Sequence, residues 1–164
     1  WILSELDKLV KECKKGYEEY NFFIPAIAIR EFTWNVFAAH YIEMVKARAY
    51  GIDFSDEERD GAIFTLHKTL ATILKLLAPI TPFITEYLWK TLYSDQSIHK
   101  EKQVNSENIE VQTDITKEIS EFNSKVWNEK KSQNLSLKDT IKIEIPEILQ
   151  PFKKDLKSMH NLID

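Results

Sequence analysis

Residues 74–93 read LKLLAPITPFITEYLWKTLY, and the parsing of this stretch decides the fold. An apolar helix ends at Ala78-Pro79 and a second begins at Thr81-Pro82. Proline suits a first helical position because the N–H it lacks would have no intrahelical partner there, and Thr81 is placed to cap the donors that follow. Ile73, Leu74 and Leu77 precede the corner; Phe83, Ile84, Tyr87 and Leu88 follow it. The pattern predicts that both apolar faces fold onto a shared core, with the rest of the chain packed around the corner.

The chain has 164 residues, 43% of them hydrophobic and 12% aromatic, which is enough to bury a core in one domain or in one domain with an appendage. No apolar run reaches the roughly 20 residues that cross a bilayer, and the amino end lacks the parts of a signal peptide, so a cytoplasmic protein with no membrane partner is expected. Cys13, the single cysteine, excludes an internal disulfide and sits on an apolar stripe as a core thiol. Trp1 already stands inside a periodic pattern, so the chain is expected to be cut from a longer one. With 22 basic against 26 acidic residues the net charge is −4, which argues against a general polyanion binder and leaves only local basic faces to consider. Lys8, Lys11 and Lys15 share one side of the first helix by their spacing, either as a solvated face or as a phosphate track. Asp53, Asp56, Glu57, Glu58 and Asp60 suit a helix start, where negative charge complements the dipole.

Along the chain, Ile2, Leu6, Leu9, Val10, Cys13 and Tyr17 repeat at helical spacing over residues 1 to about 20, with Gly16 weakening the last turn. A second helix is predicted from about Ile24 to Tyr50, with Pro25 near its start and so many apolar residues that it is packed on several sides. Gly51 stops it, and Ser55 with Glu58 forms a capping box for a third helix running to the corner. The fourth spans Thr81 to about Tyr93. These helices predict a mainly α protein, an up-and-down helix bundle over residues 1–94. Residues 95–113 are polar and aperiodic, a linker that places a domain boundary here. A fifth helix is predicted over about Asp114–Lys131. Ile141, Ile143 and Ile145 then alternate with charged residues as a half-buried strand, partnered by Ile109 and Val111 or by a segment outside the chain. A last helix begins at Pro146, with the stripe Leu149, Phe152, Leu156, Met159 and Ile163. Residues 95–164 therefore read as a linker plus a small mixed α/β appendage.

Catalytic patterns are missing. The only glycines are Gly16, Gly51 and Gly61, which gives no phosphate loop, and neither CxxC nor HExxH occurs. His40, His67, His99 and His160 are scattered, and Glu86 near a helix start is expected from the dipole alone. No catalytic residue, metal or cofactor is expected in this chain.

WILSEL (1–6), IREFTWNVFAAHYIEMVKARAY (29–50), TLHKTLATILKLLAPITPFITEYLW (65–89) and SIH (97–99) resemble the carboxy-terminal anticodon-binding region of class I aminoacyl-tRNA synthetases, and most of all the valyl enzymes. The distinguishing pieces are Trp34-Asn35-Val36-Phe37 leading to Tyr41-Ile42-Glu43 and Lys46, the Leu-Leu-Ala-Pro corner, and Ser97-Ile98-His99. Isoleucyl and leucyl enzymes share the corner. Residues 1–99 carry the resemblance, and KSQNLSLKDTIKIEIPE with FKKDLKSMHN is similar to the segment that follows the bundle in archaeal-type valyl enzymes. The resemblance implies a module that binds the anticodon arm of tRNA(Val), while the catalytic domain of the same polypeptide, which uses ATP and Mg, precedes it. It implies that Trp34, Phe37, Pro79, Pro82 and Phe83 are architecture. It implies RNA contact near Trp1 and Glu5 and at Lys46, Arg48 and Tyr50, where bases stack on aromatic or guanidinium planes and cations meet phosphate, with Lys8, Lys11 and Lys15 tracking the backbone. A helical protein-interaction domain is the alternative of a different class.

Overall fold

The computed structural model describes residues 1–109 and 115–163. It is mainly α: α1 (Ile2–Glu18), α2 (Phe23–Glu31), a π-helical stretch (Phe32–Ile42) running into α3 (Glu43–Ala49), α4 (Asp56–Leu77), α5 (Pro82–Leu92), α6 (Thr116–Ser132) and α7 (Lys153–His160). Short 3₁₀ turns stand at Ile98–Lys100 and Glu147–Phe152. Two compact units interleave along the chain. One comprises Ile2–Phe37 with the described part of Phe64–Val111; the other comprises Ala38–Ile63, the described part of Gln112–Asp164, and Trp1.

In the first unit α1 buries Ile2, Leu6, Leu9, Val10 and Cys13, the stripe that its periodicity predicts. Its end is a Schellman turn, with Asn21 N–H donating to Gly16 O at 2.8 Å and Tyr20 N–H to Tyr17 O at 3.1 Å. Tyr20 takes the left-handed position (φ 55°) that glycine usually holds there. Gly16 is required for another reason: a Cβ there would lie 2.6 Å from Pro25 Cδ, so the missing side chain lets α2 start against α1.

The corner is a hydrogen-bonded turn, Ile80 and Thr81 N–H both donating to Leu77 O at 2.9 Å, with Pro82 opening α5. Thr81 does not cap the helix as expected; its hydroxyl turns back to Leu77 O at 3.4 Å. The apolar face of α5 is also not the expected one. Leu74, Ala78, Trp89 and Ile98 form the core, with Leu88 packed against it, while Phe83 (89% exposed), Ile84 and Tyr87 face outward. The inward turn of α5 carries Thr85, whose hydroxyl is satisfied by Thr81 O at 2.9 Å.

The described part of the polar run after α5 is irregular apart from the 3₁₀ turn at Ile98–Lys100, and it is fastened to the helices. Glu86 accepts from Ser97 Oγ and Ile98 N–H, each at 2.9 Å, and pairs with Lys90. Desolvation would raise this carboxyl; bonds from Lys90, Ile98 and Ser97 outweigh it and lower its pKa. Further on, the buried carboxylate of Asp7 accepts from Ser106 Oγ at 2.9 Å and Glu107 N–H at 2.7 Å.

In the second unit the capping box before α4 forms as read: Glu58 N–H donates to Ser55 Oγ at 3.2 Å and Ser55 N–H to Glu58 Oε2 at 2.8 Å. Gly51 (φ 69°) closes α3 in a second Schellman turn, with Ile52 N–H on Ala47 O. The core here is polar at its centre. His160 Nε2 donates to Asn123 Oδ1 at 2.7 Å, and Asn123 Nδ2 donates to His40 Nδ1 at 2.9 Å. Burial lowers the pKa of His40, and burial with the nearby Lys130 charge holds His160 at about 4. The ammonium of Lys130 is itself buried and donates to Leu137 O and His160 O at 2.7 and 2.8 Å, closing the carbonyl end of α7.

The mixed α/β appendage is corrected: no ladder forms among the described residues. Ile141 and Ile145 are buried and their charged neighbours exposed, so the alternation reports one-sided burial, not pairing. A single parallel bridge joins Ile141 to Leu162, beyond α7. Of the expected partners, Ile109 takes its hydrogen bond from Ser4 Oγ at 3.5 Å, and Val111 lies outside the described residues. The second helix forms as an unbroken helical run from Phe23 to Ala49, close to its expected bounds, but its middle is π-helical and it is not packed on several sides, with Trp34 74% exposed. Among the described residues no helix is long and apolar enough to cross a membrane.

Candidate nucleic-acid interface

The α1 face carries its lysines in pairs with acids one turn away. Lys8 Nζ meets Glu5 Oε1 at 2.7 Å and Lys11 Nζ meets Asp7 Oδ2 at 3.0 Å. Asp7 is fixed: desolvation pushes its carboxyl up, but Lys11, Glu107 N–H and Ser106 together pull it below its ordinary value. Lys15 is exposed and has no ion pair among the described residues. The Lys8–Glu5 pair is of the intrahelical kind that contributes about 0.3–0.5 kcal/mol, whereas Lys11 answers a buried carboxylate.

The other expected residues belong to the second unit. Tyr50 is 76% exposed at the end of α3, and Lys46 stands one turn before it, paired to Glu43 at 2.6 Å. Together with Ala47, Ile52, Ser158 and Met159 they line a groove of about 250 Å³. Glu43 lines it as well and neutralises the single cation, so what the groove offers is an apolar floor and the exposed Tyr50 ring, suited to stacking an unpaired base.

Arg48 and Trp1 are differently placed. The Arg48 guanidinium is spent on Asp155 of α7, Nε to Oδ1 at 2.9 Å and Nη2 to Oδ2 at 2.5 Å, a bidentate fork. Asp155 is 7% exposed and Arg48 27%. Burial raises the Asp155 carboxyl while Arg48 pulls it the other way. Two cations lie over the Phe54 ring, Arg48 at 5.8 Å and Lys154 at 4.0 Å from its centre. Trp1 donates from Nε1 to Thr116 Oγ1 at 2.8 Å and packs edge-on against Tyr41 and Phe152. Both side chains brace the unit that presents Lys46 and Tyr50.

Sequence reasoning missed Asp155, Asp7 and Met159. Asp155 carries no signal of its own, because its partner lies 107 residues away. Among the described residues no three His, Cys, Asp or Glu side chains gather to hold a metal. His40 is engaged by Asn123, and His67 Nδ1 lies 3.3 Å from Tyr93 Oη.

A family model described as the anticodon-binding domain of tRNA ligase matches residues 1–145. The valine–tRNA ligase of Pyrobaculum aerophilum is 37% identical over 99% of the chain, that of Nanoarchaeum equitans 36% over 99%, and that of Aeropyrum pernix 32% over 97%. The chain covers 21%, 21% and 20% of these relatives, about a fifth of their length. This mainly helical chain, matched from its first residue through the corner and into the segment beyond α6, belongs to the family of anticodon-binding domains of tRNA ligases.

Proposed function

We propose that this chain is the anticodon-arm binding module of a valine–tRNA ligase. It holds tRNA(Val) so that the acceptor end reaches a catalytic domain elsewhere in the same polypeptide, where ATP and Mg are used in the cytoplasm. The observation that carries this reading is the family match over residues 1–145, joined by three valine–tRNA ligases that align along nearly the whole chain. In this reading residues 1–94 are the RNA-facing up-and-down bundle and 95–164 brace it. Lys46 and Tyr50 meet the unstacked bases, and Lys8, Lys11 and Lys15 follow phosphates with Glu5 as a displaceable counter-ion. Arg48 and Trp1 hold the surface in shape.

The test is binding of the chain to tRNA(Val) transcripts. Affinity falls steeply as salt rises, because each phosphate contact releases counterions, and anticodon substitution weakens it. Equal binding at low salt to transcripts with unrelated anticodons would refute the assignment and favour a protein-interaction role.

A further inference from the structure

In the second unit the segment from Ile141 to Ile145 and residues 161–163 form a strand–helix–strand crossover with one short arm. Residues 146–160, which hold the 3₁₀ turn and α7, make the connection, and they supply the dozen or so residues that joining two parallel strands requires. Asn161 (φ 53°) ends α7 in a left-handed turn, with Leu162 N–H donating to Lys157 O at 3.0 Å, and so returns the chain beside its first arm. There Ile141 N–H donates to Asn161 O at 3.3 Å and Ile163 N–H to Ile141 O at 3.1 Å, which is the slanted bonding of a parallel ladder.

The first arm continues past this bridge while the second does not. In a parallel ladder every second residue turns both its N–H and its C=O toward the neighbour, so the groups that follow Ile141 on this side belong to Ile143 and Ile145. Among the described residues Ile143 N–H, Ile143 O and Ile145 N–H make no hydrogen bond, although Ile145 is buried and a buried backbone group is ordinarily paired. Ile145 O is already taken by Gln150 Nε2 at 2.9 Å, and Pro146 has no N–H, so the open edge ends there. A groove of about 370 Å³ lies between the two arms, with Ile143, Ile145, Leu162 and Ile163 as its apolar lining. Lys142, Lys153 and Lys157 line it too, against one carboxylate, Glu144. Neither Lys142 nor Lys153 has an ion pair among the described residues.

We propose that this groove receives an extended strand from the rest of the parent polypeptide, parallel to Ile143 and Ile145 and in line with Leu162 and Ile163, with acidic side chains toward Lys142 and Lys153. Backbone bonding sets the direction and register of such a strand, and the lysine excess sets its charge. The source follows from how little edge is open. So few rungs hold a free peptide poorly, whereas a tethered segment meets the groove at an effective concentration on the order of millimolar. The chain spans about a fifth of the relatives it matches, and the strand belongs to the remainder. The inference rests on the chain being part of a longer ligase and on none of the RNA contacts.

The test is hydrogen exchange resolved to single amides, on this chain and on the full-length polypeptide it belongs to. Ile141 N–H, already bonded, is protected in both; Ile143 and Ile145 N–H exchange freely in the chain and at least about tenfold more slowly in the full-length protein. Lys142 and Glu144, whose N–H groups point to the other side, exchange alike in both. Equal exchange of Ile143 and Ile145 in the two proteins overturns the proposal. Protection that grows with the concentration of the chain alone assigns the edge to a second copy and overturns the source. In the full-length protein Ile143→Pro deletes a rung and releases the Ile145 amide, while Glu144→Pro, on the opposite side, leaves it protected; both keep the helical circular dichroism. Release by both, or by neither, refutes the register. Lys142→Glu combined with Lys153→Glu quickens exchange at Ile145 by about fivefold, and no change overturns the acidic character of the strand. If Ile143 and Ile145 are protected while tRNA(Val) binds without anticodon dependence, the RNA reading fails alone. If anticodon dependence is intact while both amides stay unprotected, this inference fails alone.

Discussion

Replacing Arg48 with alanine removes both arms of the fork on Asp155 and leaves a carboxylate that is 7% exposed without its partner. Breaking a fully buried pair in this way costs about 3–5 kcal/mol. Arg48 is 27% exposed, so water replaces part of the lost solvation, and about 2 kcal/mol is expected. The pair Arg48→Met with Asp155→Leu removes the charges together, keeps the volume, and should recover most of that loss. Urea unfolding of the two single variants and the double variant gives a coupling energy of about 2 kcal/mol. The same proteins separate bracing from contact. If Arg48 acts only by holding the α3 end, the double variant regains tRNA(Val) affinity along with stability; if Arg48 touches RNA, affinity stays low. A cost below about 0.5 kcal/mol for Arg48→Ala, additive with Asp155→Leu, would refute the bracing role.

Three further expectations arise from the folds of the two units. His160, held at about 4, and His40, also lowered, are neutral in the native chain, whereas their unfolded value is about 6.5. The unfolded state therefore takes up protons first, and stability is full above about pH 6.5 and declines toward pH 4, by about 3 kcal/mol for His160 alone; urea midpoints that match at pH 7.5 and 5 would contradict this. Tyr20→Gly relieves a left-handed residue in the α1 turn and should raise stability by about 1 kcal/mol, whereas an unchanged or lower melting temperature would show that the exposed tyrosine is held by something else. Glu86→Ala removes the acceptor for Ile98 N–H, and amide exchange at Ile98 should accelerate while that of α1 does not.

What the sequence revealed and what it hid divide along a physical line. Local chemistry was legible: Ser55 with Glu58, Gly51 after α3 and the α1 stripe each depend on residues within one or two turns. The faces of α5 were not, because Phe83, Ile84 and Tyr87 are as apolar as Leu88 and Trp89, and period alone does not say which side meets a neighbour. Ile141 to Ile145 alternates as a strand would, but a ladder needs a second segment, and among the described residues Ile141 bridges to Leu162 alone. In the candidate site Lys46 and Tyr50 are proposed from the place where the family motif ends, and both are exposed there. The role of Arg48 was hidden in Asp155, far away in the chain.

The π-helical stretch carries a last consequence, one of counting. Along this stretch the buried positions are Phe32, Phe37, His40, Tyr41, Met44 and Val45, and the step of five from Phe32 to Phe37 is wider than an α-helix keeps. Number of residues, and not only kind, is therefore under constraint here. Deleting one residue between His40 and Met44 would turn the remainder of the helix by about 100° about its axis, the angle of one α-helical step. Arg48 would swing off Asp155, Met44 and Val45 would leave the core, and Tyr50 would face a new direction without a single side chain of the surface being changed. Substitutions in this stretch are local events; insertions and deletions re-aim the end of the helix.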